Sequence, residues 1–595
     1  MDETSTRWMH TLALIGVGFL LSIAATIYVT PPASGYEVDI YAIYPAYFWI
    51  SVVGAMFVGQ LLVFRSAGSE RRDNGHVFGI SFILVSVLAL VLLPYIRGYP
   101  VYGRADVLTH LGLVSDLSEY GIEGNIYPPT HLLLASLSEA TGMEPIALIN
   151  LLSVAFSFLF VGSMYFFVTH LFPERQMGRF ALPFVLFPVV GGVHVTSIPY
   201  GLSILMTPFV VYLLLKEQRT QVMSIRLMLL FSIVGIVFFH PLTAVFIVLT
   251  FVGYAAIKRV PTFDTSQLGP THAASFTLLV FGGWYLNNAG IIIRFRTVTT
   301  DFLNPESGGS ELASTSETVN RTGAALTDIV RIATVEYGGE AILFGIATVL
   351  LAIVVSLWIR NRKAPDVFIF TFGCTMLLFA GLAVLFLTND FIVGFGRPLI
   401  FGKIFAAPLA GVFFYVMWRS DTQVGQIIAT VGLSIVLLAI VSLTVVGLFS
   451  SPLIAETSQQ TTQMEIDGTE WFFEHRNDEL LVDEFGIRQY RFDHLHNGSE
   501  SQSPMIRRAE TRPPDHFNYT TYDTLGESYA EDRYLMLTQL GRVTYPAKFP
   551  DYRDQWRFTE EDFERLEYDP SVTRVYDNGE FDVYRINGSA TPPPA

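Results

Sequence analysis

The chain has 595 residues, 51% of them hydrophobic and only 15% charged, with a mean hydropathy of +0.44. This composition excludes a soluble globular protein and indicates an integral membrane protein. The formal charge of −16 is uneven: from Ser451 onward there are 28 Asp and Glu against 14 Lys and Arg, so the acidity belongs to a C-terminal segment that disfavours nucleic acid as a partner. An acidic, lysine-poor surface of this kind stays hydrated at high salt and fits a salt-loving source. The sole cysteine, Cys374, excludes an internal disulfide framework and a cysteine-based zinc site.

Apolar runs long enough, or nearly so, to cross a hydrocarbon core of about 30 Å begin near Trp8, Ala46, Val77, Ile146, Phe180, Gly201, Leu227, Leu242, Ala273, Ala341, Val367, Leu399 and Gln426. They predict a polytopic α-helical membrane protein of about 13 transmembrane helices. The first run follows Arg7 and is too long for a signal-peptide core, so it reads as a retained anchor. Two helices occupy 1–76, a transmembrane module with outer loops 97–145 and 295–339 occupies 77–450, and an acidic soluble domain occupies 451–595. Basic residues such as Arg65, Arg175, Lys216, Lys258, Arg360 and Arg419 fall in alternate loops, which places the amino terminus in the cytoplasm and the C-terminal domain outside. Four N-x-S/T sequons, at Asn320, Asn497, Asn518 and Asn587, all fall in segments that this orientation places outside.

The loop Tyr102 to Thr141 is polar where its neighbours are spans. Val107, Leu108, Leu111, Val114 and Leu117 recur at helical spacing and predict an amphipathic helix lying on the membrane. Asp106 and His110 sit four apart on another face. The break at Asn125 to Pro129, with Tyr127, precedes a second short helix at His131 to Ala140. A carboxylate at the water–lipid boundary can accept a proton from a sugar hydroxyl, with Asp106 as base and His110 orienting it or holding a hydroxyl. Asp116, Glu119 and Glu123 are assigned to a solvated face.

Leu227 to Ile257 holds two passes in too few residues for two full spans, which predicts a short hairpin with its apex at Phe-His-Pro and His240 facing an enclosed, watered cavity. Arg294, Arg296, Arg397 and Lys403 gather positive charge at the outer face, against the usual bias, and suit a lipid phosphate. The outer loop ends in an amphipathic stretch leading to Glu336-Tyr337, a segment suited to closing over a bound donor. After Ser450, helices are predicted at Thr469 to Arg476 and Glu560 to Leu566, strands at Glu479 to Phe485 and Tyr534 to Leu540, and a hairpin over Val572 to Ile586, giving a small extracellular α/β or α+β domain.

The order of parts resembles the GT-C superfamily of integral membrane glycosyltransferases: a span ending at Arg97 to Pro100, then GRADVLTHLGLVSDLSEYG with its early Asp, then YPPTHLLLASLS. The Phe-His-Pro-Leu-Thr run and the DNGEFDVYRI ending are similar to haloarchaeal members. The resemblance implies a GT-C-like fold and Asp106 as catalytic base. It further implies transfer of a sugar, mannose in those members, from a dolichyl- or polyprenyl-phosphate donor to an acceptor glycan or glycoprotein at the outer face of the cell membrane, in protein N-glycosylation or S-layer assembly. Many members carry a second acid beside the early Asp, whereas this chain has Ala105 and Val107 there. No cofactor is required by this reading; a divalent cation at Asp106 stays open, without a ligand set to name. A transporter or flippase of lipid-linked sugars is the alternative, and it lacks the internal repeat that such proteins show.

Overall fold

The computed structural model describes residues 3–67, 74–122, 125–172, 174–266, 268–270, 272–288, 290–293, 296–297, 300, 325–361, 364–389, 394–499 and 512–589. Among these, nine helices are long and apolar enough to cross a membrane and three shorter apolar helices accompany them. In chain order the bundle comprises α1 (Glu3–Val29), α2 (Ala46–Ala67), α3 (Asn74–Val91), then two loop helices α4 (Asp106–Tyr120) and α5 (Pro128–Thr141), then α6 (Pro145–Leu171), α7 (Pro199–Thr220), α8 (Met223–Phe239), α9 (Pro241–Lys258), α10 (Ala273–Tyr285), α11 (Leu326–Asn361), α12 (Val367–Thr388), α13 (Gly396–Trp418) and α14 (Gln423–Val446). A four-stranded sheet with helices on it follows.

The apolar run beginning at Phe180, expected as a transmembrane helix, is not one. After a short helix at Arg175–Ala181, the chain proceeds through 3-10 turns at Leu182–Phe184 and Gly191–His194 to the start of α7. It nevertheless runs the length of α6 in the opposite direction. The main chain of Val168 lies against Gly178, Ser157 Oγ donates to His194 O at 3.0 Å, and Ser197 Oγ donates to Ile149 O at 2.6 Å. At the far end Arg219 of α7 donates to Leu171 O of α6 at 2.7 Å, so α6 and α7 are parallel and the segment between them returns across the bundle. The nine long helices and the three shorter apolar ones thus pack together with one irregular pass among the described residues. Non-helical backbone is tolerated at such depth only inside protein, and residues 181–190 are buried without exception. Gln60 of α2 supplies one partner, its amide donating to Pro183 O at 2.7 Å.

The hairpin predicted around His240 is present as α8 and α9, of 17 and 18 residues, or about 26 and 27 Å of helix. His240 forms the turn in an extended conformation and Pro241 opens α9. α11 has 36 residues, about 54 Å, well over the roughly 30 Å of a hydrocarbon core. Residues 326–339, expected as the end of an outer loop, are therefore the projecting end of a span on the side carrying the C-terminal domain, the tail side.

The tail contains α15 (Gln463–His475), α16 (Gln489–Asn497), α17 (Gln539–Lys548) and α18 (Glu560–Tyr568). Its strands β3 (Leu481–Phe485), β4 (Arg533–Thr538), β5 (Val572–Asp577) and β6 (Phe581–Ile586) order as β3-β4-β6-β5, with β3 and β4 parallel and the others antiparallel. The tail is stitched to the loop ahead of α4. β1 (Val101–Tyr102) pairs antiparallel with β2 (Gln460–Thr461), and half-buried Arg104 grips the buried Glu465 carboxylate with both Nη atoms, at 2.7 and 2.5 Å.

α4 does not lie on the membrane. Its apolar residues Val107, Leu108, Leu111 and Val114 enter one core with Ile466, Phe472, Val482, Phe492, Met536 and Phe581 of the tail. Gly112 permits this close approach, since a Cβ there would stand 2.0 Å from His494 O. Asp116, assigned above to a solvated face, is likewise buried and accepts from Ser499 N at 2.9 Å and Oγ at 2.8 Å. The apolar stripe is present at the predicted spacing, and tail residues, not lipid, close over it.

Removing Arg104 strands Glu465, whose side chain is 2% exposed. Arg104→Ala is expected to cost about 3–5 kcal/mol, seen as a lowered thermal unfolding midpoint of the detergent-solubilised protein, and Arg104→Met with Glu465→Met is expected to recover most of it.

Candidate active site

Asp106 opens α4, in the first turn where the helix dipole favours a carboxylate. The backbone approaches it through Gly103, at φ +124, where any Cβ would press to 2.6 Å from Val107 Cγ2. The Asp106 side chain is 53% exposed; Arg491 of α16 donates to its Oδ1 at 2.6 Å and, with its other arm, to Thr109 Oγ1 at 2.7 Å. The second oxygen, Oδ2, has no hydrogen bond among the described residues. Asp106 therefore presents a fixed carboxylate with one oxygen occupied and one available.

One turn on, His110 is buried and its Nδ1 lies 3.1 Å from Nε2 of His131, the fourth residue of α5. His131 Nδ1 meets the Asn125 side chain at 2.8–3.0 Å, and Asn125 Oδ1 also accepts from Tyr127 N at 3.0 Å. Burial, the Arg491 charge and His240 push His110 down to about 3, and burial with the neighbouring His110 does the same to His131. Both rings are neutral at pH 7, so they can exchange hydrogen bonds but hold no charge.

From His110 a line of rings leads into the bundle. His110 meets Tyr127 edge-on at 5.8 Å, Tyr127 stacks on His240 at 5.6 Å, His240 meets Tyr200 at 5.2 Å, and the Arg397 guanidinium lies 4.9 Å from the Tyr200 ring centroid. Tyr127, Tyr200, His240 and Arg397 sit at the starts of α5, α7, α9 and α13. Four helix N-termini, each the positive end of a dipole, thus converge on one locus. Arg397 is half-buried and makes no ion pair among the described residues; His240 Nδ1 is buried with no hydrogen-bond partner there. An uncompensated guanidinium among helix N-termini favours an anion.

The remaining candidates lie elsewhere. Lys403 pairs with Glu340 of α11 at 2.5 Å, in a small cavity also lined by Glu336; its charge is already met by a carboxylate. Glu336 accepts from the Tyr337 hydroxyl at 2.6 Å and stands on α11, not in a loop that closes. Arg296 is exposed, and Arg294 and Asn320 lie outside the described residues. Of the sequons, Asn497 and Asn587 are exposed and Asn518 is half-buried. Asp106 has an arginine on it, not a second acid, and no three His, Cys, Asp or Glu side chains gather as a metal site among the described residues. Arg491, Tyr200, His131 and Asn125 escaped sequence reasoning. The YPPTH run does contain His131, whereas Arg491 is 385 residues from Asp106 and left no local signal.

No family model and no curated protein matches the chain. Among solved structures it is similar to the oligosaccharyltransferase of Archaeoglobus fulgidus tethered with an acceptor peptide, at 10% identity and TM-score 0.43 over 85% of this chain and 72% of that one. It is also similar to ArnT from Cupriavidus metallidurans bound to undecaprenyl phosphate, at 10% identity and TM-score 0.44 over 88% and 100%. Likeness at this level leaves the chemistry to the chain's own residues.

The neutral histidine pair sets a sign for pH dependence. Their folded values lie below the unfolded value of about 6.5, so their contribution to stability is full above that pH and is lost as pH falls from about 6.5 toward 3. The unfolding midpoint of the solubilised protein is expected to drop steeply between pH 6.5 and 4, and His110→Asn with His131→Gln to flatten that slope.

Proposed function

We propose that the chain is a membrane glycosyltransferase of the GT-C type, moving a sugar from a polyprenyl-phosphate carrier to an acceptor hydroxyl on the tail side, which faces outward. The single observation that carries this reading is Arg397, a cation without an acidic partner among the described residues, set at four converging helix N-termini and joined by a line of rings to His110, one helical turn from Asp106.

In this reading the carrier phosphate lies against Arg397 and those N-termini, with the lipid between helices. The acceptor O–H gives its proton to Asp106 Oδ2 while its oxygen bonds to the anomeric carbon. The bond from that carbon to the phosphate oxygen breaks, the pair leaves with the phosphate, and Arg397 meets the charge. Displacement from the opposite face inverts the anomeric centre. Arg491 positions Asp106, and the neutral His110 accepts or donates a hydrogen bond to a sugar hydroxyl without competing for the proton. Lys403, held by Glu340, steadies α13 against α11 and leaves phosphate binding to Arg397. Mannose from dolichyl phosphate, passed to a surface N-glycan, is the specific form that the sequence resemblance supports.

Transfer of radiolabelled sugar from polyprenyl phosphate in membranes tests this. Asp106→Asn, at normal expression, is expected to lose at least about a hundredfold in kcat with little change in KM, and Arg397→Ala about a hundred- to a thousandfold. Undiminished transfer by Asp106→Asn would remove it as the base.

A further inference from the structure

A second recess lies beyond the ring-lined locus. Between the projecting end of α11 and the tail is a cavity of about 1150 Å³, above the roughly 300–1,000 Å³ that suits a single small ligand. Its α11 wall carries Asp328 and Ile332, eight to twelve residues beyond Glu340, or about 12–18 Å along the helix from the Lys403 pair. That height is above the hydrocarbon and argues against a lipid chain as occupant.

The tail wall is aromatic and braced. Trp556 Nε1 donates to Phe549 O at 2.7 Å, and the Tyr552 hydroxyl donates to Asp328 Oδ2 at 3.0 Å while accepting from Ala325 N at 3.0 Å. Phe549 is 38% exposed, outside the tail's own core around Phe517, Phe558 and Phe563. Rigid rings beside hydrogen-bonding groups suit pyranoses, whose C–H faces stack on aromatics while their hydroxyls take the polar partners. The lining also includes Arg512 and Lys548, neither of which makes an ion pair among the described residues; its other charges are Arg331 paired with Asp328, Arg557 paired with Asp515, and the carboxylates of Asp39 and Asp551.

The geometry points to an oligosaccharide site: we infer that this cleft holds a chain of several sugars stacked on Phe549 and Trp556, with an anionic sugar at Arg512 and Lys548. That the occupant is the acceptor glycan rests on the transferase reading; the binding itself does not.

The test is ligand-observed saturation-transfer NMR on the full chain in nanodiscs, with tetragalacturonate and mannotetraose as probes. Saturable binding is expected for both, tighter for tetragalacturonate. Phe549→Ala, which changes an exposed side chain, and Trp556→Ala are each expected to weaken both by about tenfold or more, and Lys548→Gln with Arg512→Gln to abolish only the preference. No saturable binding of either sugar, or unchanged affinity in Phe549→Ala, overturns the site; a preference for mannotetraose overturns the anionic end. Binding retained where wild-type membranes transfer no sugar would sink the transferase reading and keep the cleft, while transfer without binding would do the reverse.

Discussion

A segment that crosses a bilayer without forming a helix must find its hydrogen-bond partners in the protein around it, and the stretch between Leu182 and Ile198 meets that demand from several sides. Gln60 of α2 and Ser157 of α6 reach its carbonyls, and α13 comes close enough that a Cβ on Gly411 would stand 2.4 Å from Ala181 Cα. The consequence is topological. Because this pass returns the chain to the tail side, α6 and α7 run parallel, and the start of α7 with Tyr200 arrives beside the His240 turn and Arg397. Had the run been an ordinary helix, the same connectivity would stand, but with a full row of side chains between α6 and α13.

The second dependence runs from the tail to the loop ahead of α4. Arg104 and the β1–β2 pair fix the main chain two residues before Asp106, and Arg491 holds the carboxylate from the other side. Both arginines reach between units: Arg104 from loop to tail, Arg491 from tail to loop. The tail thus enters the candidate chemistry by holding the base.

Much of this was legible from local pattern. The helical period of Val107 to Val114, the Phe-His-Pro turn and the Asp577-Asn578-Gly579 hairpin are short-range features, and each appears in place. The approach of His110, Tyr127, His240 and Arg397 was expected only as a set of outer-face residues; their contact needs the tertiary fold. What stayed hidden has one cause, partners distant in sequence. Lys403 looked available because Glu340 lies 63 residues away, Asp116 looked solvated because Ser499 lies 383 away, and nothing near Asp106 announces Arg491. The run at Phe180 misled for another reason: hydropathy reports that a segment is apolar and is blind to whether its backbone bonds to itself or to its neighbours.

The irregular pass also bears on how the protein is made. A transmembrane helix satisfies its own main chain and can enter lipid as soon as it is synthesised, whereas Leu182 to Ile198 cannot, and its contact on α13 at Gly411 is translated more than two hundred residues later. Until that helix arrives, the segment must wait in water, at the interface or in the care of the insertion machinery. Final assembly of the bundle is therefore a late, post-insertion event, and a truncation before α13 would leave ten completed bundle helices and a strand of chain with no place to rest.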